Sequence, residues 1–137
     1  MQLNPYLNFN GNCAAAFKFY EKCLGGKIAM MMTFAESPMA EQVPAAHRDK
    51  VMHARMTIGD QVLMGSDAPP DRYDPMKGFS VSLSVDNAAD AEKIFNALAA
   101  NGTVQMPIQK RFWAERFGAL VDQFGTPWMI NCEGAAR

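Results

Sequence analysis

Cysteine and histidine are scarce in this sequence. It has three cysteines, Cys13, Cys23 and Cys132, and two histidines, His47 and His53. A small, odd number of cysteines does not form the disulfide framework of a secreted domain, so we expect a reducing, cytoplasmic location. Two histidines without paired spacing do not predict the imidazole ligands of a transition-metal site.

An excess of charge of one sign and a long apolar run are also missing. Thirteen basic residues stand against fourteen acidic ones, giving a net charge of −1, which argues against nucleic-acid binding through a basic surface. No apolar run approaches the roughly 18 residues of a membrane span. Residues 1–5 have no basic segment followed by an apolar one, so we expect no signal peptide. We therefore predict neither a nucleic-acid partner nor a membrane partner.

The sequence does have clear hydrophobic alternation. Its 137 residues, 49% hydrophobic and 20% charged, suit one globular domain. Apolar and polar residues alternate over 3–9 and, most strictly, over 79–85, which predicts two half-buried strands. We expect the apolar face of each strand to pack under a helix and the polar face to line a concave surface.

Each alternating strand precedes a helix and three more strands. The first predicted helix, 13–24, begins after Asn12 as N-cap and ends at Gly25-Gly26. The second, 88–100, begins after Asp86-Asn87 and ends at Asn101-Gly102. The other predicted strands are 27–34, 51–58, 61–66, 103–106, about 117–122 and 128–132.

The two halves of the chain resemble each other. At an offset of 76, Leu7 corresponds to Leu83 and Gly26 to Gly102; beyond the first long loop an offset of 66 aligns Gly59 with Gly125. We therefore predict a single domain, residues 1–137, made of two βαβββ repeats at about 1–68 and 78–137. A proline-rich loop, 69–77, joins them.

Several short motifs resemble one family. They are Asn4–Leu7, Phe19–Gly26, Met52–Asp60, Ser82–Asp86, Phe112–Gly118 and Phe124–Cys132. Together with the repeated βαβββ order, they resemble the PhnB-like branch of the vicinal oxygen chelate superfamily, which includes glyoxalases, bleomycin-resistance proteins and dioxygenases. The resemblance implies an α+β fold of two βαβββ modules with curled mixed sheets, and a homodimer.

Members of this branch are often labelled as 3-demethylubiquinone-9 3-methyltransferase-like. A nucleotide-type methyl donor usually needs a glycine-rich turn that leads from a strand into a helix. In this sequence Gly25-Gly26 follows a helix and does not open one. We therefore read the label as a family name and predict no such cofactor.

In metal-dependent members of the superfamily, His and Glu side chains from the first and last strand of each module hold a divalent ion. Alignment of the repeats places these positions at Asn4, Leu63, Ser80 and Met129. Leucine and methionine are poor ligands for a hard divalent ion, and serine or asparagine does not replace an imidazole. We predict no metal at this position and no other cofactor.

Polar side chains on the predicted concave faces are the candidate ligand contacts. We expect His47 to be a solvated loop residue, whereas His53, inside a strand, is either structural or directed into a pocket. The predicted ligand-binding residues are Tyr6, Asn8, Ser80, Ser82, Trp113, Arg116 and Asn131, and the candidate catalytic residues are His53, Glu115 and Arg116. A water-filled concavity without a selected ligand is the alternative.

The segment 112–117 has two interpretations. Arg116 could bind a carboxylate or phosphate through two hydrogen bonds, and Trp113 could stack on a flat ligand. Equally, Glu115 and Arg116 could form a structural ion pair while Trp113 fills a gap between the modules.

Three functions remain open at this point. The leading hypothesis is a metal-independent small-molecule-binding protein whose ligand is unknown. The first alternative is an enzyme, a lyase, isomerase or transferase, that uses the same concave site. The second is a structural or interaction protein with a vestigial site.

Overall fold

The computed structural model describes residues 1–133, and in it the chain divides into two compact units. The first comprises Met1–Pro75 and the second begins at Met76. None of the helices formed by residues 1–133 is long and apolar enough to cross a membrane.

The first unit contains one long helix and four strands. They are β1 (Tyr6–Phe9), α1 (Cys13–Leu24), β2 (Lys27–Thr33), β3 (Val51–Ile58) and β4 (Gln61–Asp67). The strands form one sheet in the order β1-β4-β3-β2. β1 and β4 are parallel and the other two pairs are antiparallel, so the sheet is mixed.

The second unit repeats this arrangement. It contains β5 (Val81–Ser84), α2 (Ala88–Ala99), β6 (Thr103–Arg111), β7 (Ala114–Val121) and β8 (Pro127–Cys132). The sheet order is β5-β8-β7-β6, with β5 and β8 parallel. Two βαβββ modules with four-stranded mixed sheets confirm the predicted α+β fold.

In the first unit, α1 covers one face of the sheet. Phe17 and Tyr20 of α1 are fully buried, as are Leu7 and Phe9 of β1, and Met56 of β3 is fully buried too. The rings of Phe9, Phe17 and Tyr20 lie within 6.5 Å of one another, centroid to centroid. Alternation along β1 thus places its apolar residues under the helix, because successive strand side chains point to opposite faces.

In the second unit, the core combines apolar packing with one buried carboxylate. Phe95, Leu98, Trp128 and Ile130 are almost completely buried. The carboxylate of Asp122 accepts hydrogen bonds from the Phe124 and Thr126 backbone N–H groups, and from Nε1 of Trp128 at 2.8 Å. This carboxylate closes the β7–β8 turn and provides the buried indole with an acceptor.

Helix α1 spans its predicted residues, but its predicted cap is wrong. Asn12 makes no side-chain cap hydrogen bond. Instead, Oδ1 of Asp67, at the end of β4, accepts the Cys13 N–H at 3.0 Å. A residue distant in sequence supplies the cap, which local spacing cannot reveal. At α2 the Asn87 side chain accepts the Asp90 N–H, as an N-cap should.

Four strands differ from their predicted ranges by more than one residue. β1 and β5 are four residues each, shorter than the alternation suggested. β6 continues to Arg111, and β7 begins at Ala114. The segment predicted to precede a strand is therefore a hairpin with Phe112-Trp113 at its tip.

The repeat is correct in order, but its second offset is not 66. Lys27 pairs with Thr57 as Thr103 pairs with Val121, an offset of 64 between Thr57 and Val121. Tyr6 pairs with Met64 as Ser82 pairs with Met129, an offset of 65. The β3–β4 turn is a two-residue loop, whereas residues 122–126 form the β7–β8 turn. Unequal turns shift the alignment, and one residue reverses the face on which a strand side chain lies.

Candidate functional site

The sheet of the first unit has an open face on the side away from α1. The side chains on this open face alternate along each strand with the buried ones. Cross-strand pairing arranges them in rows that run across the sheet. One row joins Tyr6, Met64, Arg55 and Met30. Next to this row, Asn8 pairs with Ser66, and Met32 pairs with His53. Tyr6, Asn8 and Arg55 are exposed, so this face is accessible.

Tyr6 and His53 form a pair on the open face. The Tyr6 hydroxyl lies 3.1 Å from Nδ1 of His53, and the rings stack with centroids 5.7 Å apart and 22° between planes. Tyr6 lies on β1 and His53 on β3, so the bond reaches across the intervening β4. The bond to Tyr6 holds the His53 imidazole in one orientation. Nε2 of His53 has no hydrogen-bond partner among residues 1–133.

A cavity of about 460 Å³ adjoins these rows; we call it the unit-1 cavity. Asn8 and Ser66 contribute neutral polar groups, and Arg72 and Asp74 contribute opposite charges. Its remaining lining is Phe34, Met39, Met52, Asp67, Ala68 and Pro69. Polar and apolar groups therefore meet in one concavity formed entirely within the first unit.

Asp67 anchors the backbone around the unit-1 cavity. Its carboxylate accepts the N–H groups of Gly11 and Cys13 on Oδ1 and that of Val51 on Oδ2, at 2.9 to 3.0 Å. Three donors satisfy a carboxylate that is only 2% exposed. Burial, reinforced by the Asp67 charge, raises the pKa of the Cys13 thiol, so this cysteine is protonated and unreactive.

The predicted serines and Asn131 lie in the second unit. Ser82 and Ser84 are exposed on β5, and Ser80 is exposed just before it. Asn131 pairs with Ser84 across β5 and β8. A separate cavity of about 320 Å³ is lined by Ser84, Val85, Asp86 and Glu133, and not by Ser80, Ser82 or Asn131.

Arg116 points toward α2. Its Nε lies 2.9 Å from Oε1 of Glu92, and Nη1 donates to the Glu115 carbonyl and lies 3.4 Å from the Glu115 carboxylate. The hydrogen bond with Glu92 raises the pKa of Arg116. Arg116 of β7 is the cross-strand partner of the buried Cys132 of β8. The guanidinium is engaged in ion pairs within its own unit.

Trp113 and Phe112 form the tip of the β6–β7 hairpin. Phe112 is 98% exposed and Trp113 41% exposed. Their rings meet edge to face at 4.8 Å, and Trp113 also contacts Phe117 at 5.6 Å. The tip therefore presents one aromatic side chain almost completely to solvent.

The expectation of a solvated His47 is wrong. His47 ends a 3-10 turn, Ala45–His47, and is 6% exposed. Its ring lies against Phe34 with centroids 4.9 Å apart. The loop folds back onto the end of the sheet, since the Ala35 N–H donates to the Arg48 carbonyl. The composition of the loop does not reveal that it packs against the end of the sheet.

The metal position implied by the superfamily does not fit the side chains present. Leu63 is 4% exposed and lies on the face covered by α1, so its assignment to the concave side is wrong. Its neighbours Val62 and Met64 take the open face instead, and neither offers a hard ligand. Within residues 1–133, no three His, Cys, Asp or Glu side chains converge on one point.

Sequence reasoning placed Tyr6 and Asn8 on one face, left His53 as either structural or directed into a pocket, and missed the cavity beside them. Two loops supply part of the lining, namely Phe34, Met39, Arg72 and Asp74. The composition of such segments predicts a loop but not the path that the loop takes. Ser66 could have been found, because it follows Met64 by two residues and so shares its face.

Comparison with known proteins agrees with this fold. Residues 2–130 match the Glyoxalase/Bleomycin resistance protein/Dioxygenase superfamily. Protein YjdN of Escherichia coli (strain K12) is 37% identical over an alignment 139 positions long, which covers 96% of this chain and 95% of that protein. The crystal structure of protein PA1353 from Pseudomonas aeruginosa is 49% identical, with a TM-score of 0.91, and the match covers 98% of this chain and 99% of that one.

A more distant structure shows the same fold. The putative 3-demethylubiquinone-9 3-methyltransferase, PhnB protein, from Bacillus cereus is 21% identical with a TM-score of 0.80; the match covers 96% of this chain and 99% of that one. The family match over residues 2–130 and the 37% identity to YjdN confirm the family resemblance of the sequence motifs. Two βαβββ units and a family match over nearly the whole length lead to one conclusion: the chain belongs to the Glyoxalase/Bleomycin resistance protein/Dioxygenase superfamily.

Proposed function

We propose that the protein binds a small organic molecule in the unit-1 cavity without the help of a metal ion. The cavity itself carries this proposal, because its 460 Å³ falls within the range of about 300–1,000 Å³ typical of small-molecule sites. Its lining is mixed, with a few polar groups among apolar ones, as such sites usually are.

The lining indicates a ligand with both polar and apolar parts. Asn8 and Ser66 can donate and accept hydrogen bonds. Met39 and Met52 present flexible thioethers that adapt to the shape of an apolar group, and Phe34 adds a rigid aromatic surface. Several of these groups come from loops, which change shape more readily than strands when a ligand binds.

The first test is a melting-temperature screen against a panel of small molecules, run before and after treatment with EDTA. We expect at least one compound to stabilise the protein, by about 2.7 kcal/mol at a hundred times its Kd, and the effect to survive EDTA. We expect Ser66→Phe, which fills the cavity, to abolish the shift, and Ser82→Phe on β5 to leave it intact.

Three results contradict the proposal. If no compound raises the melting temperature, the vestigial alternative is favoured. Loss of the shift after EDTA would show that a metal is required. If Ser82→Phe abolishes the shift and Ser66→Phe does not, the ligand binds in the second unit.

An enzyme is the second candidate, because Tyr6 holds His53 on the open face with Nε2 available. An imidazole so oriented can exchange a proton with a bound molecule. Consumption of a compound found in the screen, lost in His53→Gln without loss of stability, would favour this candidate.

We also propose a homodimer in a reducing cytoplasm. Supporting observations are the small, odd number of cysteines and the open sheets, whose edge strands β1, β2, β5 and β6 have no second neighbour among residues 1–133. Light scattering at micromolar concentration should give twice the chain mass of 15.1 kDa. A monomeric mass would contradict the dimer.

A further inference from the structure

We propose that the open face of the first unit selects a small aromatic anion, with Arg55 binding the anionic group. This inference rests on the proposed function and names the chemical class of its ligand. It requires the ligand to extend from the unit-1 cavity, which Asn8 and Ser66 line, onto the neighbouring row of the open face, which contains Arg55. It follows from the charge of the open face, from the neighbours of Arg55 and from the Tyr6–His53 pair.

The strands of the open face carry positive charge and no carboxylate, while Arg72 and Asp74 in the adjoining unit-1 cavity have opposite charges. Arg55 lies on β3, an inner strand, and Lys27 lies at the end of β2 opposite Thr57. None of the strand residues on this face is Asp or Glu. Arg55 forms no ion pair or hydrogen bond through its side chain within residues 1–133, unlike Arg116 in the second unit. A guanidinium without a carboxylate partner on an exposed sheet face can bind a carboxylate or phosphate, because it donates two parallel hydrogen bonds.

Methionines flank Arg55 on both sides. Met64 of β4 and Met30 of β2 are its direct cross-strand partners. Thioether sulfur makes favourable contacts with aromatic rings, and cross-strand partners lie about 5 Å apart. A ring attached to the anion would therefore contact sulfur while its charged group meets Arg55.

Tyr6 and His53 would determine the second polar contact. The Tyr6 hydroxyl occupies Nδ1 of His53, and so fixes the orientation in which Nε2 meets a ligand. His53 and Arg55 are two residues apart on one face of β3, a separation of about 7 Å. A separation of this size allows one substituted ring to contact Arg55 with its anionic group and His53 with a polar group at the opposite end of the ring. Tyr6 is thus a positioning residue for His53.

The size and sign of the site disfavour other ligands. Lys27 and Arg55 repel a cation, and the net charge of −1 of the chain opposes a polyanion such as a nucleic acid. A small monoanion is attracted by Lys27 and Arg55 and, unlike a polyanion, is hardly repelled by the net charge of the chain.

Benzoate, benzamide and benzylamine provide matched probes, anionic, neutral and cationic, for titration calorimetry on the full chain. We expect benzoate and 4-hydroxybenzoate to bind at least about tenfold more tightly than benzamide, and benzylamine not to bind. Arg55→Gln should remove this preference with an unchanged melting temperature, since the side chain is exposed. Lys18→Gln on the outer surface of α1 is the matched control.

Tyr6→Phe tests the positioning role. We expect it to weaken 4-hydroxybenzoate more than benzoate and to change the His53 ring-nitrogen NMR shifts, whereas a merely structural contact would weaken both ligands equally. Equal affinity for benzoate and benzamide, or full preference in Arg55→Gln, overturns the inference while the proposed function stands. A change in assembly mass in Arg55→Gln also overturns it, because the face is then an interface between copies. If neither these probes nor the screening panel bind, the proposed function fails as well.

Discussion

Asp67→Asn is expected to destabilise the first unit by about 3 kcal/mol, because a buried carboxylate with three hydrogen bonds cannot be replaced by an amide without loss. Oδ1 can still accept from Gly11 and Cys13, but an amide NH₂ would face the Val51 N–H. Two donors then meet in a site that is 2% exposed. Chemical denaturation in urea measures the loss.

Asp49→Asn is the matched control for Asp67→Asn. Asp49 is exposed and its side chain has no hydrogen bond among residues 1–133, so we expect a change within about 0.5 kcal/mol. A loss below about 1 kcal/mol in Asp67→Asn would mean that the three N–H groups find other acceptors. Because Asp67 also lines the unit-1 cavity, the same variant should weaken ligand stabilisation.

Gly118→Ala is expected to destabilise the second unit by about 3 kcal/mol or more, because overpacking against backbone cannot be relieved by a rotamer change. A Cβ at this position of β7 would lie 2.7 Å from Cε2 of Phe95 and 2.9 Å from Cα of Ile108. The glycine lets α2 and β6 approach β7 closely. The urea midpoint, compared at a constant m-value, gives the free energy of unfolding.

Gly125→Ala separates this steric effect from backbone strain. Gly125 has a φ of 92°, but no atom lies within 4 Å of its hypothetical Cβ. We expect its loss to be about 1 to 2 kcal/mol, the cost of forcing an L-residue into that conformation. A loss at Gly118 no larger than that at Gly125 would contradict the packing argument.

Stability and binding share residues in the first unit. Asp67 joins the start of α1 and the start of β3 to the end of β4, and the same residue borders the unit-1 cavity. The carboxylate therefore stabilises the fold and shapes the site at once. Asn8 and Ser66, in contrast, are on strands but have no comparable role in the core, so they can be substituted to test binding alone.

Much of the fold could be predicted from local signals. Helix α1 spans the predicted residues and α2 differs by one, because apolar periodicity, Asn87 as N-cap and Gly25 in a left-handed conformation act within a few residues. The β3–β4 hairpin was predicted correctly for the same reason, since Gly59 marks its turn.

The site was only partly predictable. Alternation placed Tyr6 and Asn8 on one face, but their relation to His53 depends on strand order, which alternation does not contain. Arg116 shows the limit: its sequence neighbour Glu115 was an expected partner, yet the shorter contact is with Glu92, 24 residues away on α2.

By itself, the sequence determined the βαβββ repeat, the helices and the family, since these depend on spacing, turn residues and motifs within short segments. The tertiary structure alone decided strand register, the three donors of Asp67, the burial of His47 and the loops around the unit-1 cavity. The physical reason is distance along the chain. Hydrogen bonds and packing between distant residues form only when the whole unit closes, and a one-residue change in turn length exchanges the faces of a strand.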